Sequence, residues 1–533
     1  MTATKEAGEA QRGGSRRLLG VAGPLALALF VAAAHLPALE SGFVYDDRIL
    51  ILEQAPPRGL SDLAQVFAER HWFNLPYYRP VSRLTMVWQK GLHGDDPAPF
   101  HAFNLLLGAA ASLLLFALLR QPAFGIGRAP ALAAAALFGA HPVMADCVYP
   151  ISSGRETLIP VVSCLAALVA WLRAGAAWRA TALVALVIAL LAKEQAVVLP
   201  LCFLWADVLR VSQDPPGRSA RRWLLRTMPL LAILMGYVAL RAFVLGDAGG
   251  LRVAVLAEPI VPVLSVLYAL QTTFAPFAEL VYEPRLAVWL SPLRLAVGLA
   301  AALALAVAAV RAEPGTQRAA LFFAGMALLS LAPSANLLVQ EAPFAERYGL
   351  LALAGVAGAG ATLLCAWPAS RAAARAALAA AVLLALVAAS LSRLRAPAWA
   401  DDQAFHGQWL RSDPLAAQPH VGLGQWFAER AEFAEARAHY EAAIALRPDY
   451  AVAHASLGAM LLEQGQDAEA ALELERAATL APDTATTWSN LGVALARQGF
   501  RSEAERAYLR ALALDPGLAA PRHNLEALRR TGR

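Results

Sequence analysis

The chain has 533 residues, of which 58% are hydrophobic and only 16% charged, with a mean hydropathy of +0.50 and a net charge of +5. A soluble domain carries about 25% charged residues, so this composition excludes a wholly water-facing fold and points to a polytopic membrane protein in contact with lipid. The basic residues are spread among loops, which excludes nucleic acid as a partner.

The four cysteines give no disulfide or metal framework. Cys164, Cys202 and Cys365 lie inside apolar runs, and Cys147 stands alone in a loop with no CxxC or Cys/His spacing nearby. No metal site and no cofactor is expected.

Residues 1–17 are polar and basic and read as a cytoplasmic tail. The apolar run that follows has no small-residue cleavage site and reads as an uncleaved first span. A span needs about 20 apolar residues. The candidates are 18–37, 102–119, 129–145, 157–172, 179–193, 195–209, 223–243, 291–310, 319–339, 347–367 and 374–392. A further stretch, 261–280, is broken by Pro262, Gln271 and Pro276.

Short loops rich in Lys and Arg stay cytoplasmic. Six basic loops agree with one orientation if 261–280 dips in or lies flat: Arg16/Arg17, Arg120/Arg128, Arg173/Arg179, Arg210/Arg218/Arg221/Arg222, Arg311/Arg318 and Arg371/Arg375. The expectation is eleven spans in a bacterial inner membrane or its equivalent, N-terminus inside and C-terminus outside. The transmembrane domain is then 18–392, with a first outer loop at 40–100.

That topology gathers charged motifs on the outer face. Phe43-Val44-Tyr45-Asp46-Asp47-Arg48 follows the first span, and Tyr77-Tyr78-Arg79-Pro80-Val81 lies later in the same loop. His141-Pro142-Val143 leads into Ser152-Ser153-Gly154-Arg155-Glu156. Lys193-Glu194-Gln195 separates two spans, and the last group runs from Glu341 to Glu346-Arg347-Tyr348. A charge at the membrane costs roughly 2.5–3.5 kcal/mol, so Arg79, Arg155, Lys193 and Arg347 on one face suggest convergence on an anion. The bland alternative is that each snorkels to headgroups, or that Lys193 and Glu194 simply pair.

Beyond a linker at 393–413 the pattern changes. Pro414, Pro448, Pro482 and Pro516 recur every 34 residues, as do Leu423, Leu457, Leu491 and Leu525, and Gly424, Gly458 and Gly492. Ala436, Ala470 and Ala504 keep the same period, as do Ala443, Ala477 and Ala511. Small residues at this spacing let two antiparallel helices approach closely, with proline ending each pair. This resembles tetratricopeptide repeats (TPRs), with three helix pairs and a closing helix near 517–531. The fold class expected is all-α: a helical membrane domain followed by a TPR solenoid over 414–533, with a concave face for protein segments.

The order of motifs resembles the transmembrane and TPR-containing O-mannosyltransferases, and more broadly the GT-C glycosyltransferases. Phe43-Val44-Tyr45-Asp46-Asp47 is similar to that family's first-loop acidic motif. Tyr78-Arg79-Pro80-Val81, then His101-Ala102-Phe103-Asn104-Leu105-Leu106, is similar to its RPL…HxxN stretch. His141-Pro142-Val143 with Gly154-Arg155-Glu156 resembles its HPV…GRxD segment, with Glu for Asp. Ala192-Lys193-Glu194-Gln195 resembles its SKEQ, and Glu346-Arg347-Tyr348 its ERYLYLPS without the LPS portion.

The resemblance implies transfer of a sugar from a polyprenyl phosphate, a co-substrate rather than a cofactor, to a hydroxyl outside the cytoplasm. A carboxylate in the first loop would take the acceptor proton. A phosphate leaving group needs no proton, so one carboxylate suffices where glycosidases use two. Asp46 and Asp47, adjacent in an extended segment, should point to opposite sides, and similarity favours Asp46 as base with Asp47 positioning sugar or loop. Arg79, Arg155, Lys193 and Arg347 would meet the phosphate, with Tyr45, His141, Glu156 and Glu194 in support. The repeats would bring in an acceptor protein or partner. A non-catalytic TPR membrane scaffold, or a GT-C enzyme with a glycan or lipid acceptor, are the alternative readings.

Overall fold

The computed structural model describes residues 21–69, 71, 77–246, 260–276, 290–334, 345–366 and 370–530. The tail 1–17 with Arg16 and Arg17, and the loop residue Glu341, lie outside them. Every regular element among the described residues is helical. The chain divides into two compact units, residues 1–400 and 401–533.

In the first unit the principal helices are α1 (Val21–Glu40), α2 (Pro80–His93), α3 (Ala98–Leu119), α4 (Arg128–Ala140), α5 (Pro142–Val148), α6 (Ser152–Trp171) and α7 (Ala176–Ala192). They continue as α8 (Leu199–Val208), α9 (Ala220–Leu245), α10 (Ile260–Phe274), α11 (Pro292–Arg311), α12 (Pro314–Leu331), α13 (Leu350–Ala366) and α14 (Arg371–Leu394). Their starts follow from local chemistry. The hydroxyls of Ser219, Ser291 and Ser370 accept from Arg222 N, Arg294 N and Ala373 N, satisfying donors that a helix N-terminus leaves open.

Seven helices among the described residues are long and apolar enough to cross a membrane, and eight if the pair α4–α5, bent by 55°, counts as one span. This is the pattern of a membrane protein. The other three expected spans are the shorter α7 and α8, and α12, whose first turn is polar. The broken stretch 261–280 contains α10, only 15 residues long. At 1.5 Å per residue this is about 22 Å, less than the ~30 Å hydrocarbon core.

The unit is organised around α6. Most of it is enclosed by protein. Its N-terminal half presents Ser152, Arg155 and Glu156, polar groups that must find partners inside protein. Its tight seat depends on Gly154, where an added Cβ would overlap the Cys147 carbonyl. Cys147, expected in a loop, is therefore a buried residue of α5.

The second unit begins with α15 (Asp402–Ser412). Three antiparallel pairs follow: α16 (Ala417–Ala428) with α17 (Phe433–Leu446), α18 (Ala451–Glu463) with α19 (Asp467–Leu480), and α20 (Ala485–Arg497) with α21 (Arg501–Leu514). The closing α22 is Ala519–Arg530. The repeating glycines sit where helices touch. A Cβ on Gly424 would stand 2.5 Å from the Tyr440 ring, on Gly458 2.6 Å from Leu474 Cγ, and on Gly492 2.5 Å from the Tyr508 ring.

Within the segment 393–413, α14 runs to Leu394 and α15 packs on α16 within the repeat unit. Trp399 and Trp409 are buried in protein, with Trp409 against Phe405 and His406.

Candidate active site

Two polar clusters flank the N-terminal half of α6. The first starts from Glu156, which accepts from Arg79 Nη1 and lies 2.5 Å from His71 Nε2. Arg79 also donates to Glu194, with Nε to Oε2 at 3.0 Å and Nη2 to Oε1 at 2.5 Å. Its position follows from Pro80, which starts α2 and leaves Arg79 as the N-cap. Burial opposes the Arg79 charge, but Glu194 and Glu156 outweigh it and raise its pKa well above the ordinary value.

Lys193 and Glu194 do not pair with each other. Lys193 is extended, at φ −161° and ψ 138°, between α7 and a 3-10 turn, so successive side chains diverge. Glu194 goes to Arg79, while Lys193 Nζ lies 3.5 Å from Thr157 Oγ1 and 4.7 Å from the centre of the Tyr348 ring. The Arg347 guanidinium sits 5.3 Å from that same ring. Two cations from distant segments thus share one tyrosine. A cavity of about 30 Å³ beside them is lined by residues that include Thr157, Gln195, Ser330, Arg347 and Tyr348. Arg79, Glu156, Arg347 and Glu194 all lie near enough to Lys193 to act on its charge.

Arg155 is not in this cluster. Adjacent helical positions diverge by about 100°, so when Glu156 faces Arg79, Arg155 faces α3. Its Nε donates to Asn104 Oδ1 at 3.1 Å and its Nη2 to the Phe100 carbonyl at 2.9 Å, under the rings of Phe100 and Phe103. The expected four-way convergence is thus three plus one. All four cations are nearly enclosed by protein, Arg155 completely, and none extends to the protein surface as snorkelling requires.

The first-loop acids also differ from expectation. They lie in a helical turn rather than an extended segment. Asp47 is turned inward and takes Ser152 N at 2.7 Å, Ser152 Oγ at 2.6 Å, Val44 N at 3.2 Å and Ile151 N at 3.3 Å. It caps the start of α6 from outside that helix. Burial pushes its pKa up to about 6 against the pull of these hydrogen bonds.

Asp46 is half-buried and follows Tyr45, whose φ is +52°. A bulky residue held left-handed costs about 1–3 kcal/mol, and such strain clusters at functional sites. His141 caps α5: its Nδ1 accepts from Val143 N at 3.2 Å, which leaves Nε2–H to donate to the Thr273 carbonyl at 3.2 Å.

Sequence reasoning missed His71 and a second buried ionic group. Arg395 Nη1 donates to Asp146 at 2.9 Å and to Glu346 at 2.7 Å, and Tyr268 O–H reaches Glu346 at 3.3 Å. The available signal was Asp146 and Arg395, charged residues at the ends of apolar helices. A third pair, Asp207–Arg226, lies near Trp171 at the other end of α6.

The architecture defines an all-helical membrane protein with a C-terminal TPR solenoid. A TPR repeat model matches residues 424–465 and 458–499, and a tetratricopeptide repeat model matches 485–518. Two relatives carry the name of protein O-mannosyl-transferase. Drosophila melanogaster Tmtc1 is 33% identical over 216 residues, 38% of this chain and 24% of that protein. Caenorhabditis elegans F38B6.6 is 28% identical over 165 residues, 29% of this chain and 23% of that one. The chain therefore spans about a quarter of the length of these relatives. Among solved structures, YrrB, titled a TPR protein with an unusual peptide-binding site, is 25% identical. It covers 28% of this chain and 73% of its own, with a TM-score of 0.23.

Proposed function

We propose that the protein is an inverting membrane glycosyltransferase of the GT-C type that moves a sugar, mannose by similarity, from a polyprenyl phosphate to a protein hydroxyl. The observation that carries this reading is the meeting of Lys193 and Arg347 at Tyr348, near the Arg79 that Glu156 and Glu194 brace. Two buried cations brought to one tyrosine suit an anionic group such as a phosphate. The names of the two relatives support the same class.

In this reading Asp46 accepts the proton of a Ser or Thr hydroxyl as its oxygen bonds to the anomeric carbon. The bond from that carbon to the phosphate oxygen breaks, and the electron pair leaves on the polyprenyl phosphate. Lys193 and Arg347 stabilise the charge it gains. A single displacement inverts the anomeric configuration. Asp47 holds the loop on α6, Arg155 braces α3 behind it, and Glu156 and Glu194 keep Arg79 in place.

The reaction faces the exported side, with the N-terminus cytoplasmic and the repeats outside, where they present the acceptor. Purified protein given a synthetic mannosyl polyprenyl phosphate and secreted acceptor proteins is expected to yield mannosylated peptides by mass spectrometry. Lys193→Ala should weaken donor capture and raise the donor KM. No transfer to protein, glycan or lipid would instead leave the chain a scaffold. A reporter fused after Arg533 should be active only in the exported compartment.

A further inference from the structure

The polar end of α14 and the six residues after it bind three separate parts of the candidate site. Ser392 Oγ donates to the Ala140 carbonyl at 2.7 Å, at the bend between α4 and α5. Arg395, fully buried, reaches the Pro142 carbonyl at 3.3 Å, Asp146 of α5, and Glu346. The Ala400 carbonyl accepts from Gly42 N at 2.9 Å, at the root of the loop that carries Tyr45 and Asp46. Ala400 is also the last residue of the membrane unit, so this strap is where the chain leaves for the repeats.

Arg395 is the centre of the arrangement. Glu346 opens the single 3-10 turn Glu346–Gly349, so a tether on Glu346 fixes where Arg347 and Tyr348 stand. From the other side Cys147, next to Asp146, lies with Sγ 4.0 Å from the Arg347 carbonyl. Tyr268 adds a second hold on Glu346. One guanidinium therefore closes α5 onto the turn that presents a cation to the donor.

We infer that Arg395 is a positioning residue of the transferase, holding Asp146 and Glu346 so that Arg347 and Tyr348 face the donor phosphate; this rests on the proposed reaction. Burying two carboxylates and a guanidinium is expensive, and such triads are often replaceable without loss of stability. Retaining one beside the site is what a positioning role requires.

The test uses the full chain in detergent. Arg395→Met alone leaves two carboxylates buried without a cation and can fail to fold. The charge-balanced combination of Arg395→Met, Asp146→Asn and Glu346→Gln is therefore the main variant, with Arg395→Lys as the conservative one. The combination is expected to melt near the wild type. Its donor KM should rise about 10- to 100-fold, as small misplacement of a binding group does, with a much smaller change in kcat; Arg395→Lys should recover part of the difference.

Labelling of Cys147 by a maleimide, read by peptide mass spectrometry, follows the same contact without any turnover. Cys147 is buried in the wild type and should label faster in the combination variant. Wild-type KM together with wild-type protection of Cys147 would overturn the inference. If the wild type transfers no sugar, the proposed function fails and with it the catalytic meaning of the contact, whereas transfer by the wild type with unchanged KM and unchanged Cys147 protection in the combination variant overturns the positioning role alone.

Discussion

In the repeat unit, Arg437 and Glu469 form a 2.8 Å ion pair with side chains 34% and 46% exposed. In the membrane unit, Arg79 and Glu156 pair with side chains 8% and 6% exposed. The first pair lies in water, where an exposed pair contributes about 0.2–1 kcal/mol. The repeats take their geometry from shape, with Gly424, Gly458 and Gly492 under the side chains of Tyr440, Leu474 and Tyr508. The membrane unit places charge where it cannot be solvated, and its ionic groups decide which helices meet at the site. Lipid offers no hydrophobic drive between helices, so specific polar contacts carry more of the architecture there.

The comparison is sharpened by substitutions with different expected effects. Arg79→Leu should be the most damaging, because it leaves Glu156 and Glu194 buried without their cation, at a cost of about 3–5 kcal/mol. Thermal denaturation of the purified protein should show it. Adding Glu156→Gln and Glu194→Gln should restore most of the stability without restoring transfer.

Asp47→Ala should cost about 1.5–3 kcal/mol, since the start of α6 loses a charged acceptor. Unchanged melting would mean that Asp47 does not hold the loop to α6. Gly492→Leu should cost about 1–3 kcal/mol by overpacking against Tyr508. It is expected to reduce acceptor modification while leaving donor binding intact. Equal loss of both would argue against a separable acceptor-binding module. Smallest of all, Arg437→Ala should change stability by less than about 1 kcal/mol, and a larger loss would break the contrast between the units.

The two units were not equally legible in the sequence. Repeats write the same contact three times at a fixed spacing, so Gly424, Gly458 and Gly492 mark in the sequence itself where helices close. The closing helix expected near 517–531 is α22 at Ala519–Arg530. Helix α15 was missed because it stands outside the 34-residue register.

In the membrane unit the motifs could be found but not their partners. Arg155 and Glu156 are neighbours in sequence, and helical geometry alone could have separated them. That Glu194 turns away from Lys193 depended on the extended backbone at Lys193, which an Ala-Lys-Glu-Gln string does not announce. Arg395 and Asp146 are 249 residues apart, and no period or spacing connects them. In the sequence only similarity separates Asp46 from Asp47; the physical difference is that Asp47 lies under four hydrogen bonds from Val44, Ile151 and Ser152.

That distinction between the two acids leads to the most direct test. Asp46→Asn keeps the shape of the side chain and removes its ability to accept a proton. Transfer by the purified protein should be measured at saturating polyprenyl-phosphate sugar, alongside binding of the unsubstituted polyprenyl phosphate. The account predicts a fall in kcat of about 10²–10⁴-fold with donor binding close to that of the wild type. Wild-type turnover by Asp46→Asn would contradict it and remove Asp46 as the base.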